Sequence, residues 1–181
     1  MRHGEALSNT GHIISCWPEK FNNPLTPEGK KQAKEGAKAL KDKNIDFIFS
    51  SDILRAMETA WIVAGILGIT AVHPDARLRE YNIGVLNGMP ITDFSKEYPD
   101  AKARFYQKPH TGENYAEITD RMQDFLQDID AKHQGKNILV VSHQVPLALL
   151  IYKYSHLTEQ EVFKDYFEKG RMKNGQVQEL N

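Results

Sequence analysis

Five side chains suited to handling a phosphoryl group are scattered along this chain. Arg2 and His3 lie in Met1-Arg2-His3-Gly4-Glu5, Arg55 in SSDILRAMETA, Glu80 in ARLREYNIG and His143 in ILVVSHQ. A neutral imidazole can attack phosphorus. Guanidiniums offer planar, bidentate donors to the charge spread over phosphoryl oxygens. A carboxyl group can pass a proton to and from an ester oxygen. Taken singly, each residue has an ordinary explanation. A histidine is more often structural or superficial than catalytic, Arg55 alone is a helix arginine snorkelling to the surface, Glu80 a solvated loop carboxylate, and Arg2 a terminal residue. Only the combination reads as a site, with His3 attacking and the others holding the group or moving protons.

The elements that must bring these residues together alternate between strand and helix. Ile45–Phe49 reads as a strand, followed through Ser50-Ser51-Asp52 by a helix over about 52–67 that carries Arg55 and ends at Gly68. Thr70–His73 reads as a second strand, with Glu80 a short loop beyond it. Asn137–Ser142 is the clearest strand, apolar on both faces as a central parallel strand is, with His143 at its carboxyl end. Strand–helix alternation predicts an α/β fold, a three-layer sandwich with a mostly parallel central sheet and helices on both faces. In such sheets ligands bind at the carboxyl ends of strands, which sends Arg55, Glu80 and His143 to one edge.

Between these elements, residues 6–25 read as a polar loop. Thr26 is then an N-cap with Pro27 at the first helical position, opening a helix to about Lys43 that buries Ala33, Ala37 and Leu40. Gly29 and Gly36 weaken that helix, a cost that a close helix-to-sheet approach would explain. Residues 74–112 carry four prolines with short helical pieces, such as Ile91–Tyr98, and interrupt the alternation; an insertion of this kind usually forms a lid or specificity wall. A long helix is predicted over Tyr115–Lys132, helices over about 146–155 and 158–168, and a terminal strand over Gln176–Leu180.

Composition narrows the function classes. The chain has 181 residues, 40% of them hydrophobic, enough for one domain over 1–181 with a sizeable core. A formal net charge of −1 provides no basic field for nucleic acid. No apolar run approaches the roughly 20 residues of a membrane span. One cysteine, Cys16, excludes an internal disulfide framework and fits a reducing compartment, so a cytoplasmic protein is expected. The seven histidines show no HExxH or other close ligand spacing, so neither a metal nor another cofactor is expected.

RHGE, LTPEGKKQA, SSDILRAMETA, LREYNIGVLNGM and VVSH, in this order and spacing, resemble the histidine phosphatase superfamily, also called the phosphoglycerate-mutase-like family. The resemblance covers nearly the whole chain. It implies a phosphohistidine mechanism in which His3 is the nucleophile, Arg2, Arg55 and His143 bind the phosphoryl group, Asn9 contacts phosphate, and Glu80 is the general acid. The two arginines and an imidazolium at His143 are the expected clamps.

The chain departs from the family pattern at three places. Relatives carry an apolar central strand ahead of the Arg-His pair; here Met1 directly precedes Arg2, so that first strand is expected to be missing, with Met1 matching its last residue. Gln144 stands where many relatives have glycine. Tyr81 follows the general acid where the mutases have an arginine, and the insertion offers Lys102, Arg104 and Lys108 without the mutases' Arg-Arg pair. With Tyr81, Phe105, Tyr106 and Tyr115 nearby, the expected substrate is a small-molecule phosphomonoester with an organic body, and the expected reaction its hydrolysis. The alternatives are phosphoglycerate-mutase-type transfer and a non-catalytic phosphate-binding module of the same fold. The identity of the ester and the oligomeric state are not legible.

Overall fold

Alternating burial along Phe47–Ser50 (β1) turns Ile48 to one side of a sheet and Phe49 to the other. In the computed structural model, which describes residues 1–100, 103–154 and 172–180, this strand is central. It pairs in parallel with Val72–Pro74 (β2) and with Ile138–Val141 (β3), in the order β2-β1-β3. Leu139 and Val141 join Ile48 on one face, while Ile138 and Val140 join Phe49 on the other.

Each face is covered by helices. Ala37 of α2 (Pro27–Lys38) and Ala56, Ala60 and Val63 of α3 (Leu54–Leu67) pack on the Ile48 face. Ile118, Met122, Phe125 and Ile129 of α5 (Tyr115–Lys132), with Leu147 and Leu150 of α6 (Gln144–Tyr154), pack on the Phe49 face. The three-layer α/β sandwich with a parallel sheet is therefore as the sequence predicts. The helix over 115–132 has the predicted bounds because Asn114 and Glu117 close a capping box at its start. The helix expected over 158–168 lies outside the described residues.

Three local expectations change, and one in the insertion is met. The loop over 6–25 contains one turn of helix, α1 (Leu7–Thr10). Helix α2 stops at Lys38 rather than about Lys43: Leu40 and Lys43 donate to carbonyls three residues back, and Asn44 takes a positive φ of 48°. The insertion holds short helical pieces as expected: α4 (Ile91–Glu97), where Ile91–Tyr98 was predicted, and three 3-10 turns at Ala76–Leu78, Gly84–Leu86 and Ala103–Phe105. Gln176–Leu180 is not a strand. Gln176 nonetheless accepts from the Arg2 N–H at 3.0 Å, so this segment flanks the front of the chain.

That front occupies the position where a central strand was expected to be missing. Met1–His3 runs along the outer edge of β3. Ser142 donates to the Met1 carbonyl at 3.1 Å, His3 donates to the Ser142 carbonyl at 3.0 Å, and the Met1 amine donates to the Val140 carbonyl at 2.7 Å. The three-residue stub thus sets His3 beside the end of β3 by backbone ladder contacts.

A close approach does occur at Gly29, but against the loop after His3 rather than the sheet. A Cβ on Gly29 would lie 2.0 Å from the Glu5 carbonyl oxygen, and one on Gly4 would lie 2.3 Å from the Gly29 oxygen. The first turn of α2 therefore rests directly on the backbone of the His3 loop. Thr26 fastens the contact by accepting from Gly29 N–H at 3.0 Å and donating to Glu5 Oε1 at 2.7 Å. Gly29→Ala is expected to destabilise the fold by about 3 kcal/mol, because overpacking against backbone outweighs the gain of about 1 kcal/mol that alanine ordinarily brings to a helix. Urea unfolding of the two proteins checks this; an equal or higher midpoint for the alanine variant would refute the contact.

Candidate active site

The three strands are parallel, so Ser50, Pro74 and Val141 end at one edge of the sheet. Arg55 follows β1 on the first turns of α3, Glu80 follows β2 by a 3-10 turn, and His143 follows β3 directly. The ladder of the Met1–His3 stub delivers His3 to the same edge.

His3 is buried, and its Nδ1 lies 2.6 Å from the Gly4 carbonyl oxygen. A carbonyl only accepts, so Nδ1 carries the proton and the lone pair is on Nε2. Arg55 Nε donates to that Nε2 at 3.2 Å. Burial, then the positive charges of Arg55 and Arg2, hold His3 well below the usual imidazole range, so it is neutral. The Gly4 N–H donates to Thr59 Oγ1 at 3.1 Å, and Thr59 donates to the Arg55 carbonyl one helical turn back. One face of α3 thus holds both the orienting glycine and the arginine.

Arg55 is itself fully enclosed. Its Nη1 donates to Glu19 Oε1 at 3.0 Å in a buried ion pair, and its Nη2 donates to the Ser15 carbonyl at 3.0 Å. A guanidinium fixed at three corners is a preorganised donor.

His143 has no exposed surface and lies behind His3, the ring centroids 5.0 Å apart at 61°. It shares a 2.8 Å hydrogen bond through Nε2 with Ser51 Oγ, and its Nδ1 has no partner among the described residues. The expected imidazolium is corrected here. Burial, followed by the charge of Arg55, keeps His143 well below the usual range, and the neutral ring can offer at most one N–H.

Glu80 Oε1 accepts from the Tyr81 N–H at 2.9 Å and Oε2 from the Gln144 N–H at 3.3 Å. Position 144 therefore contributes its backbone to the site whatever its side chain. Arg2 donates from Nη1 to the Met172 carbonyl at 2.6 Å. Asn9 Oδ1 accepts from the Ala6 N–H at 2.9 Å and from Asn174 Nδ2 at 3.4 Å, which fixes the orientation of its amide.

Arg2, His3, Asn9, Arg55 and Glu80 line one cavity of about 200 Å³; His143, expected to bind the phosphoryl group, does not line it and packs edge-on against His3. The insertion forms the opposite wall with Tyr81, Ile83, Phe94 and Arg104. Of the aromatic residues expected nearby, Tyr81 and Tyr115 line the cavity and Phe105 packs behind Tyr115, whereas Tyr106 is exposed and lies outside. Burial pushes the Cys16 thiol up to about 11, so it stays protonated and unreactive. Among the described residues, no three His, Cys, Asp or Glu side chains are grouped to hold a metal ion, and no helix is long and apolar enough to cross a membrane.

Sequence reasoning missed Ser15, Glu19, Ser51 and Asn174. Ser15, Glu19 and Asn174 sit in irregular segments whose composition marks turns without saying what they touch. Thr59 was legible in principle, four residues after Arg55 and so on the same helical face.

The two histidines carry a pH consequence. Both pKa values are depressed on folding, so below about 6.5 the unfolded chain binds protons that the native chain does not, and stability falls as pH drops. Two such groups give a slope on the order of 2–3 kcal/mol per pH unit between about pH 6.5 and 5.5. Urea midpoints at these two values check it, with His143→Gln expected to flatten the dependence. A parent protein equally stable at both would contradict neutral, buried histidines.

The sequence matches the profile of the histidine phosphatase superfamily (branch 1) over residues 1–178. It is 32% identical over 152 residues to phosphoserine phosphatase 1 of Hydrogenobacter thermophilus, covering 81% of this chain and 70% of that protein. It is 35% identical over 150 residues to phosphoglycerate mutase-like protein 4 of Arabidopsis thaliana, covering 79% of this chain and 64% of that protein. The fold superposes on Bacillus stearothermophilus YhfR with a TM-score of 0.81 at 27% identity, covering 96% and 85% of the two chains. It superposes on the α-ribazole phosphatase of Shigella flexneri with a TM-score of 0.80 at 26% identity, covering 97% and 85%. The motifs, the sheet and the whole-length match agree, and the chain belongs to the histidine phosphatase superfamily.

Proposed function

We propose that this protein is a metal-independent phosphomonoester hydrolase acting in the cytoplasm through a phosphohistidine on His3. The observation that carries the reading is the orientation of that imidazole: Nδ1 donates to the Gly4 carbonyl, and the neutral Nε2 faces Arg55 in the cavity. The phosphatase names of similar proteins support hydrolysis.

In this account an arriving phosphoryl group draws the Arg55 N–H away from Nε2, because anionic oxygens are better acceptors than an imidazole nitrogen. The freed lone pair attacks phosphorus. The ester P–O bond breaks, and its electron pair leaves on an oxygen that takes a proton from Glu80. Water then attacks the phosphohistidine, gives its proton to Glu80, and the P–N bond returns its pair to Nε2. Arg2, Arg55 and Asn9 stabilise the oxygens through both steps, with His143 behind His3. The dianion counters the positive field around His143 and favours its protonated form.

The test is phosphate release from p-nitrophenyl phosphate in EDTA, with no bisphosphate primer added. Turnover under these conditions is expected. Activity that required a metal or a primer would overturn the hydrolytic reading.

A further inference from the structure

Between the 3-10 turns at Ala76–Leu78 and Gly84–Leu86, the chain that carries Glu80 is irregular. Such a segment has no ladder of its own, so its backbone groups must be held from outside. Two side chains do this, one just ahead of α5 and one on its second turn. Glu113 Oε2 accepts from the Asn82 N–H at 3.0 Å, and the Glu113 N–H donates to the Asn82 carbonyl at 2.8 Å. Arg121 donates from Nη1 to the Arg77 carbonyl and from Nη2 to the Glu80 carbonyl at 3.5 Å. The pair is itself forked: Arg121 Nε donates to Glu113 Oε1 at 2.9 Å and Nη2 to Oε2 at 3.2 Å.

Neither side chain lines the cavity that holds His3. Both are half-buried, and Arg121 rises from a helix whose neighbouring Ile118 and Met122 are fixed in the core. The pair therefore grips the backbone on both sides of Glu80 from a rigid base. Other contacts keep the same segment docked without it. The Arg77 side chain bonds Asp124 and Asp128 of α5 at 2.8 and 3.1 Å, and Ser142 Oγ donates to the Leu78 carbonyl at 2.7 Å. Loss of Arg121 thus releases residues 80–82 locally rather than freeing the whole segment.

We propose that Arg121, braced by Glu113, is a positioning residue for Glu80, fixing the backbone from which that carboxyl group reaches the leaving oxygen. The inference rests on the proton-donor role proposed above for Glu80. A merely structural pair would slow every substrate alike. A pair that aims the proton donor matters most where the leaving oxygen needs the proton. p-Nitrophenolate is a stable leaving group, whereas the alkoxide of benzyl phosphate is strongly basic and must be protonated as it departs.

The experiment compares kcat/KM for these two esters in the parent, Arg121→Met, Arg121→Lys, Glu113→Gln and the reference variant Glu80→Gln. Glu80→Gln should lose far more activity on benzyl phosphate than on p-nitrophenyl phosphate. Arg121→Met should show the same selectivity, with a loss at least about tenfold larger on benzyl phosphate, since misplacing a reacting group by about 1 Å can cost about 100-fold. Glu113→Gln should show a smaller loss of the same kind, and Arg121→Lys should restore part of it, because one ammonium cannot make the whole fork. Inhibition by inorganic phosphate, which reports Arg2 and Arg55, should stay near the parent's. Where Arg121→Met fails to fold, Arg121→Lys and Glu113→Gln carry the test. Equal losses on the two esters in the Arg121 and Glu113 variants, or no loss, beside a selective Glu80→Gln would overturn the proposal and leave Glu80 as proton donor. A Glu80→Gln without selectivity, or a parent that hydrolyses neither ester, would sink the underlying reading and the proposal with it.

Discussion

His3→Ala is expected to lower kcat/KM for p-nitrophenyl phosphate by about 10⁴-fold or more. The imidazole supplies the attacking lone pair, and no other nucleophile stands in its place. Cys16 is held protonated by burial, and Ser15 Oγ is engaged by Arg55 and Glu19. Removal of a covalent nucleophile leaves only the residual catalysis of the surrounding donors. The alanine variant loses no backbone contact, because His3 joins β3 through its own N–H. Kinetics and a thermal midpoint measured on one preparation separate chemistry from folding. Comparable turnover in parent and variant would remove His3 from the mechanism.

Arg55→Ala is expected to reduce kcat/KM by about 10³-fold, with a weakened inhibition constant for inorganic phosphate. Deleting one preorganised donor to a developing oxyanion typically costs 10²–10³-fold. Arg55 does more than donate. It also ties the Ser15–Glu19 segment to α3, so its loss leaves Glu19 without its buried partner. Lysine should rescue poorly, since one ammonium cannot reach His3, Ser15 and Glu19 together. Assaying Arg55→Ala, Arg55→Lys and Glu19→Gln side by side checks this. Glu19→Gln is expected to fall between parent and Arg55→Ala. A fully active Arg55→Lys would show that charge alone suffices and that the guanidinium geometry is irrelevant.

The site was legible to the extent that it depends on strand ends. Arg55, Glu80 and His143 follow three parallel strands whose apolar runs are plain in the sequence, and the carboxyl-edge rule brings them together. The capped helix over 115–132 was legible for a similar reason, since Asn114 and Glu117 mark its start locally. The partners that tune these residues were not. Glu19 reaches Arg55 across 36 positions through an irregular loop, and Asn174 reaches Asn9 across 165. No local period encodes such contacts. The lowered pKa of His143 was not legible because it depends on complete burial near the charges of Arg55, Arg121 and Arg2, a tertiary property. The short end of α2 was misread because good helix formers continue past Lys38, while the chain must turn to enter β1.

The most direct measurement is to mix the protein with p-nitrophenyl phosphate, quench in alkali within the first turnover, and locate any phosphoryl increment by mass spectrometry of the digested chain. Phosphohistidine survives base and is lost in acid, so a matched acid quench identifies the linkage. The account predicts an alkali-stable, acid-labile increment on the peptide bearing His3, absent from His3→Ala. Nitrophenol release with the increment on another residue, or with none, would contradict it.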